Sequence, residues 1–248
     1  MCHITPSMVQ ETTPVRDRRA PSKLLWAAEL PRAALTVMSL IRARASLADL
    51  PRGDGRPILL LPGLFNADRS NFVLRRYLND LGYRAEGWGL GRNTGVRVVG
   101  PEAERLFDRI RALHAETGQP VTLIGISLGG IMARLAAQRL PGMIREVITV
   151  SSPFAGSPRA TNVWRAFEWF TGERIDSDAV RRRSAEAAAP LPVRSTAIWS
   201  RSDGLVNGRI CRSDGDPLAR DIEIRSGHLG VQLHPQTLRA IAGILGQQ

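Results

Sequence analysis

The residues Gly125-Ile126-Ser127-Leu128-Gly129-Gly130 set a serine between glycines at G-x-S-x-G spacing. The apolar run Val121–Ile124 precedes them, and helical spacing over 129–140 follows. In that context Ser127 sits on a tight strand-to-helix turn that lifts its hydroxyl clear of the sheet edge. The helix behind it aims its first amides at developing negative charge, and the glycines let the turn strain and crowd its backbone. A serine hydroxyl is a weak nucleophile at neutral pH; it needs a base, and the base needs an orienting acid. Two histidines follow Ser127. His228, in Ser226-Gly227-His228-Leu229-Gly230, lies just past an expected strand and is the preferred base. His234 precedes Pro235 and reads as the entry to the last helix. His114 falls in an expected helix and His3 in the leading segment. For the acid, Asp203 in Ser200-Arg201-Ser202-Asp203-Gly204 stands just beyond a strand end, at separations of 203 − 127 = 76 and 228 − 203 = 25. Asp176, Asp178, Asp214 and Asp216 are its rivals, and an ordinary turn aspartate is the plain alternative. Acyl transfer also needs amide donors for an oxyanion. The Leu128 amide is one. The loop Leu61-Pro62-Gly63-Leu64-Phe65-Asn66 supplies the other, with Leu64 first choice and Phe65 second.

These groups can meet only if the chain brings them to one edge of a sheet. Ile58-Leu59-Leu60-Leu61, closed by Pro62-Gly63, predicts a strand buried on both faces. A helix is expected over 70–81, a strand within Tyr83 to Leu90, and a helix over 101–116. Then come a strand at Val121–Ile124, a helix over 129–140 and a strand at Val147–Val150. Later strands fall at Thr196–Trp199 and Ile222–Ile224, and the last helix at 235–246. Strands alternating with helices predict an open, mostly parallel α/β sheet, with Ser127, Asp203 and His228 all just past strand carboxyl ends.

Ahead of this body, residues 1–22 read as a flexible tail and 23–56 as an amphipathic helix with a linker; the body itself is 57–248. Within 24–50, Arg32, Thr36, Ser39, Arg42, Ser46 and Asp49 recur every three or four residues and leave a wide apolar face. Three readings stay open for this helix. It docks on the body; it lies on a membrane or flanks the substrate entrance; or it belongs to an export signal, since Arg18-Arg19 precedes an apolar stretch and Ala43-Arg44-Ala45 mimics a cleavage site. The charges at Glu29, Arg32, Arg42 and Arg44 favour a protein kept in the cytoplasm, with membrane contact and export left open.

Composition removes other classes. At 43% hydrophobic the chain can bury a core, and 2 cysteines are too few for a disulfide scaffold or zinc module. Cys2 and Cys211 are not expected to pair in a reducing cell. No His/Cys cluster has ligand spacing, so no metal or cofactor is expected. The net charge of +11 comes from 34 basic residues, all arginine but Lys23, spread along the chain without a nucleic-acid motif. It implies no nucleic-acid partner and a leaning towards anionic surfaces. Arg181–Arg183 reads as a solvated face.

Residues 57–246 resemble an alpha/beta-hydrolase, closer to bacterial lipases and esterases than to other branches. Leu-Pro-Gly-Leu-Phe at 61–65 resembles their oxyanion loop, and Gly-Ile-Ser-Leu-Gly-Gly at 125–130 their elbow. Residues 200–206 and 226–229 resemble their acid and histidine loops. Where many relatives have His before Gly63, this chain has Pro62. The resemblance implies Ser127 as nucleophile, Asp203 as acid, His228 as base, and the Leu64 and Leu128 amides as oxyanion donors. It also implies a small-molecule ester or lipid substrate and a helical cap inserted over about 153–194. Val163, Trp164, Phe167, Trp169 and Phe170 in that insertion either line an acyl pocket or pack the cap down. A thioesterase or acyltransferase would use the same residues, and a non-catalytic binding scaffold is the alternative of another class. An Asp nucleophile, as in dehalogenases and epoxide hydrolases of this fold, is absent from the elbow.

Overall fold

The computed structural model describes residues 19–48, 50–213 and 215–247. Most of the expected tail (residues 1–18, with Cys2 and His3), Asp49 and the rival acid Asp214 lie outside the described residues. Six strands form one sheet: β1 (Pro57–Leu61), β2 (Arg84–Gly87), β3 (Val121–Ile126), β4 (Ile144–Val150), β5 (Arg194–Trp199) and β6 (Ala219–Glu223). Their order is β2-β1-β3-β4-β5-β6, and every neighbour pair is parallel. The helices are α1 (Lys23–Ala27), α2 (Glu29–Ala48), α3 (Phe72–Asp80), α4 (Val96–Val99), α5 (Glu104–Thr117), α6 (Leu128–Arg139), α7 (Trp164–Thr171), α8 (Asp178–Ala188) and α9 (Pro235–Gly246).

Side chains alternate across a strand, so β1 feeds two cores at once. Ile58 and Leu60 pack with Leu74, Leu78, Leu238 and Ile241 from α3 and α9. Leu59 and Leu61 pack with Leu106, Ile110, Met132 and Ala136 from α5 and α6. This double burial is why the central strands read as unbroken apolar runs. Leu61 pairs with Gly125, Ile126 with Val150, and Val150 with Ile198. The carboxyl ends are therefore level, and the loops after them share one edge.

Elements differ from the sequence expectation at their bounds: β4 starts at Ile144, before the expected Val147, and α5 at Glu104, after the expected 101, because Ala103 stands at φ 62°. The edge strand β6 starts at Ala219, before the expected Ile222, because a half-exposed margin tolerates Arg220 and Asp221. The single turn α4 is too short to show a period. The connector before β1 is also pinned down. Gly53 and Gly55 donate to the carbonyls of Leu81 and Gly82 at 2.7 and 3.0 Å. Arg56, 3% exposed, donates to the Leu245 carbonyl at the end of α9 at 2.5 Å and meets Asp54 at 3.0 Å. A cation at a helix carboxyl end is favourable.

Helix α2 docks on the body by a face that is polar in its first half and apolar in its second. Its inner face is Glu29, Arg32, Thr36, Leu40, Ala43 and Leu47; the last three join the core beside α9. Outward it shows Leu30 at 74% exposure, Leu35 at 67%, Met38 at 50% and Ile41 at 65%. Of the polar stripe, Arg32 donates to the Ser202 carbonyl and the buried Thr36 to the Arg32 carbonyl of its own helix, whereas Arg42 and Ser46 are exposed. No helix among the described residues is long and apolar enough to cross a membrane.

Between β4 and β5 the chain carries α7 and α8. Arg139 on α6 is paired with Glu186 of α8 at 2.7 Å, and Gln138 donates to the Pro190 carbonyl at 3.0 Å. The buried Arg134 reaches the carbonyls of Ala187 and Ala189, the latter at 2.8 Å. In the basic run, Arg181 and Arg182 are exposed, whereas Arg183 turns inward to pair with Glu173. That ion pair corrects the expectation of a wholly solvated Arg181–Arg183 face.

Candidate active site

Strand β3 ends at Ile126 and α6 begins at Leu128, so Ser127 alone makes the turn. Its backbone stands at φ 52° and ψ −118°, a region that costs an L residue strain. The surroundings impose it. The Ser127 amide donates to the Val150 carbonyl at 2.8 Å, and its own carbonyl accepts from Gly130 at 3.0 Å. A Cβ on Gly129 would run into the Leu61 and Pro62 backbone, so the elbow needs glycine there.

Asp203 and His228 meet. The loop after β5 buries Asp203 to 2% exposure. One carboxylate oxygen accepts from the Leu205 and Val206 amides at 2.9 and 2.8 Å. The other stands 2.7 Å from His228 Nδ1. An ionised carboxylate only accepts, so Nδ1 carries the hydrogen, and in the neutral ring Nε2 keeps the basic lone pair. Burial, the largest single influence on the ring, pushes its pKa down. The Asp203 charge and hydrogen bond, with the charge of Glu29, outweigh it and hold the pKa above 6.5. Beyond His228 the chain makes a turn at Val231–Leu233 that packs on α2 and α3, and Gln232 donates to the Ser70 carbonyl at 3.1 Å. The histidine loop thus runs from the β6 margin back towards the β1 side, with Val231 buried in the core beside α3 and α9. The Ser127 hydroxyl makes no hydrogen bond to His228 or to any other described residue.

In the loop after β1 the two candidate amides differ. The Phe65 amide donates to the Asn93 carbonyl at 2.7 Å, whereas the Leu64 and Leu128 amides have no acceptor among the described residues. Asn93, fully buried, holds this loop by donating to the Pro62 carbonyl at 2.7 Å. The sequence reading missed Asn93, since an asparagine in a Gly-rich loop has no distinguishing pattern.

Ser127, Leu64 and Leu128 line the foot of a cavity of about 140 Å³. Its wall is mostly apolar, with Val99, Ile131 and Met132 on one side and Val163, Phe167 and Ile175 from the inserted segment on the other. The aromatics of the insertion divide. Trp164 and Phe167 line the cavity, while Phe170 stacks on Phe65 at 4.1 Å and Trp169, 73% exposed, meets Phe170 at 4.7 Å.

The rival groups lie elsewhere. Asp176 is paired with Arg159, Asp178 stands in the first turn of α8, and Asp216 accepts from the Leu191 and Leu218 amides. His234 caps α9 by accepting from the Gln236 amide at 3.3 Å, and His114 bonds the Gln119 carbonyl at 2.8 Å. Cys211 is free and buried; burial, with the charges of Asp203 and Asp221, pushes its thiol pKa up. Sequence reasoning also missed Glu29, which reaches both the acid and histidine loops from α2. The only signal was an acid interrupting an apolar stretch.

No family model and no curated protein matches the sequence. Solved structures do match. A lipase from Bacillus licheniformis in its mature form superposes with a TM-score of 0.59 at 17% identity, over 79% of this chain and 94% of its own. An alpha/beta hydrolase from a metagenome of Mar Chica lagoon sediments, Morocco, gives 0.57 at 21%, over 79% and 92%. A monoacylglycerol lipase of Paleococcus ferrophilus gives 0.57 at 17%, over 79% and 96%. The chain has the alpha/beta-hydrolase fold.

Proposed function

We propose that the chain is a serine hydrolase that cleaves carboxylic esters with an apolar acyl group. The observation that carries this is the pair of the buried Asp203 with the partly buried His228 at 2.7 Å, on the same sheet edge as the strained Ser127 elbow. His228 Nε2 takes the Ser127 proton as Oγ attacks the ester carbonyl. The Leu64 and Leu128 amides receive the oxyanion, and Asp203 stabilises the imidazolium. The tetrahedral intermediate collapses with the proton passing from Nε2 to the departing alcohol, leaving an acyl-Ser127 ester. Water, deprotonated by His228, attacks that ester and frees the acid and Oγ. A closed apolar cavity of ~150 Å³ takes up one benzene, so 140 Å³ suits an acyl chain of about six carbons. Fluorophosphonate labelling tests the reading: wild type labels and Ser127→Ala does not. A folded wild type that stays unlabelled, with detergent present to open the cap, would sink it. Among labelled outcomes, a faster turnover of thioesters or transfer to an added alcohol would shift the activity to thioesterase or acyltransferase.

We also propose that the outer face of α1 and α2 rests on an anionic lipid surface. Leu24, Trp26, Leu30, Leu35, Met38 and Ile41 are exposed together. The exposed cations Lys23, Arg42 and Arg44 flank them on the same two helices, a pairing of apolar face and positive rim that suits anionic headgroups. The protein should sediment with phosphatidylglycerol vesicles and lose binding in Leu30→Glu/Ile41→Glu with soluble-ester turnover kept. No sedimentation, or a dimer in vesicle-free buffer that the same double variant dissolves, would refute it.

A further inference from the structure

Glu29 is 2% exposed, although it stands in the first turn of a helix whose other side faces solvent. Its Oε1 accepts from the Gly204 amide at 2.6 Å. Its Oε2 accepts from the His228 and Leu229 amides at 2.8 and 2.9 Å. One carboxylate therefore ties the residue after the acid to the backbone of the base itself. The approach is close: a Cβ on Gly227 would stand 2.8 Å from Oε2. Arg32, one turn on, donates to the Ser202 carbonyl at 2.6 Å, so α2 grips the acid loop on both sides of Asp203. Asn162 adds a third tie, to the Gly204 carbonyl at 2.8 Å and the Pro21 carbonyl at 3.1 Å.

We propose that Glu29 is a positioning residue for the Asp203–His228 pair, which makes the helix ahead of the hydrolase body a working part of the site. The inference rests on the proposed hydrolase reading and adds to it. Chemistry explains the residue type. Three converging N–H groups need acceptors only, and a carboxylate offers two oxygens with about four lone-pair directions. Glutamine is the same size but turns an NH₂ towards at least one of those donors. The position also matters electrostatically. The charged groups that act on the His228 ring are Asp203, from the loop after β5, and Glu29, from α2; both favour the imidazolium. Arg32, beside them, is held by the Ser202 carbonyl.

The test uses the full chain and two readouts: kcat and KM against pH on a soluble short-chain ester, and titration of the His228 ring by NMR, assigned by its loss in His228→Gln. In Glu29→Gln we expect kcat to fall about 10- to 100-fold, the scale of an ångström of lost alignment, with KM little changed. The His228 titration and the acid limb of kcat/KM should both move to lower pH. Glu29→Asp keeps the charge, so its titration should stay nearer wild type than that of Glu29→Gln while kcat remains low. If Glu29→Gln does not fold, Gly227→Ala presses on the same carboxylate from the other side and should lower kcat in the same way. Wild-type kcat in a folded Glu29→Gln overturns the proposal. So does a fall in kcat with an unmoved titration, which would make Glu29 a packing group only. Fluorophosphonate labelling of wild type with detergent present is read first: its absence refutes the hydrolase reading, whereas labelling with wild-type kcat in Glu29→Gln refutes only the role of Glu29.

Discussion

The most discriminating substitution is Asp203→Asn, because the geometry dictates which way the new amide must face. One carboxylate oxygen of Asp203 accepts from the Leu205 and Val206 amides, at 2.9 and 2.8 Å. An asparagine carbonyl can take that place; an NH₂ cannot, since it would meet two donors. The NH₂ is therefore aimed at His228 Nδ1, where the second oxygen stood at 2.7 Å. Nδ1 must then accept, the ring hydrogen moves to Nε2, and the base no longer presents a lone pair to Ser127. The wrong tautomer costs about 10⁴-fold in kcat at a site of this kind, which is about 5 kcal/mol of transition-state stabilisation. Stability should barely move, because the loop keeps both its amide bonds. Asp203→Ala separates the two effects: it strands two buried amides at about 1–3 kcal/mol each, so it should lower Tm as well as kcat. The assay is kcat on a soluble six-carbon ester beside a thermal melt. A folded Asp203→Asn with kcat within tenfold of wild type would refute the orientation argument.

Three further outcomes follow from the same geometry. On the proposed reading His228 must be neutral to act, and its pKa is held above 6.5, so kcat/KM should fall as pH drops through a limb above that value. The same shift favours the fold below pH ~6.5 and fades as pH rises through the folded pKa; a pH series of activity and Tm checks both signs. Ile175→Ala removes a buried cavity wall; it should extend the preferred acyl chain by two or three carbons, at about 2–4 kcal/mol of stability, read from an ester series and a urea melt. Arg56→Ala leaves the Leu245 carbonyl without its cation and should cost roughly 2–3 kcal/mol, or about 4–12 °C in Tm, with kcat unchanged.

The sequence carried the framework because burial and chain order leave local marks. The run Ile58–Leu61 is apolar throughout because both faces of β1 are covered, and the elbow announces itself because its glycines are sterically required. Asp203 and His228 were legible as the carboxylate and the histidine just past late strands, and the structure pairs them. What stayed hidden depends on tertiary partners. The orientation of α2 could not be read from its amphipathicity, since Glu29 and Arg32 bond loops far along the chain while Leu30, Leu35 and Ile41 stay exposed. Glu29 looked like an interruption because Gly204 and His228 are 175 and 199 residues away. Arg220 and Asp221 disguised β6 because an edge strand can tolerate charge.

Backbone strain is gathered at the carboxyl edge of the sheet. Of the non-glycine residues with positive φ among the described residues, Phe65, Ser127 and Ser151 stand at or just past the carboxyl ends of β1, β3 and β4; Ala103 alone lies elsewhere. Each such conformation costs about 1–3 kcal/mol, so this rim is where the protein gives up heat resistance. A directed-evolution campaign scored only on residual fold after heating should therefore enrich glycine at 127, where the left-handed turn carries no penalty for it. On the proposed hydrolase reading the survivors would be hardier and inert, and only a turnover criterion at every round would keep selection from dismantling the site it was meant to preserve.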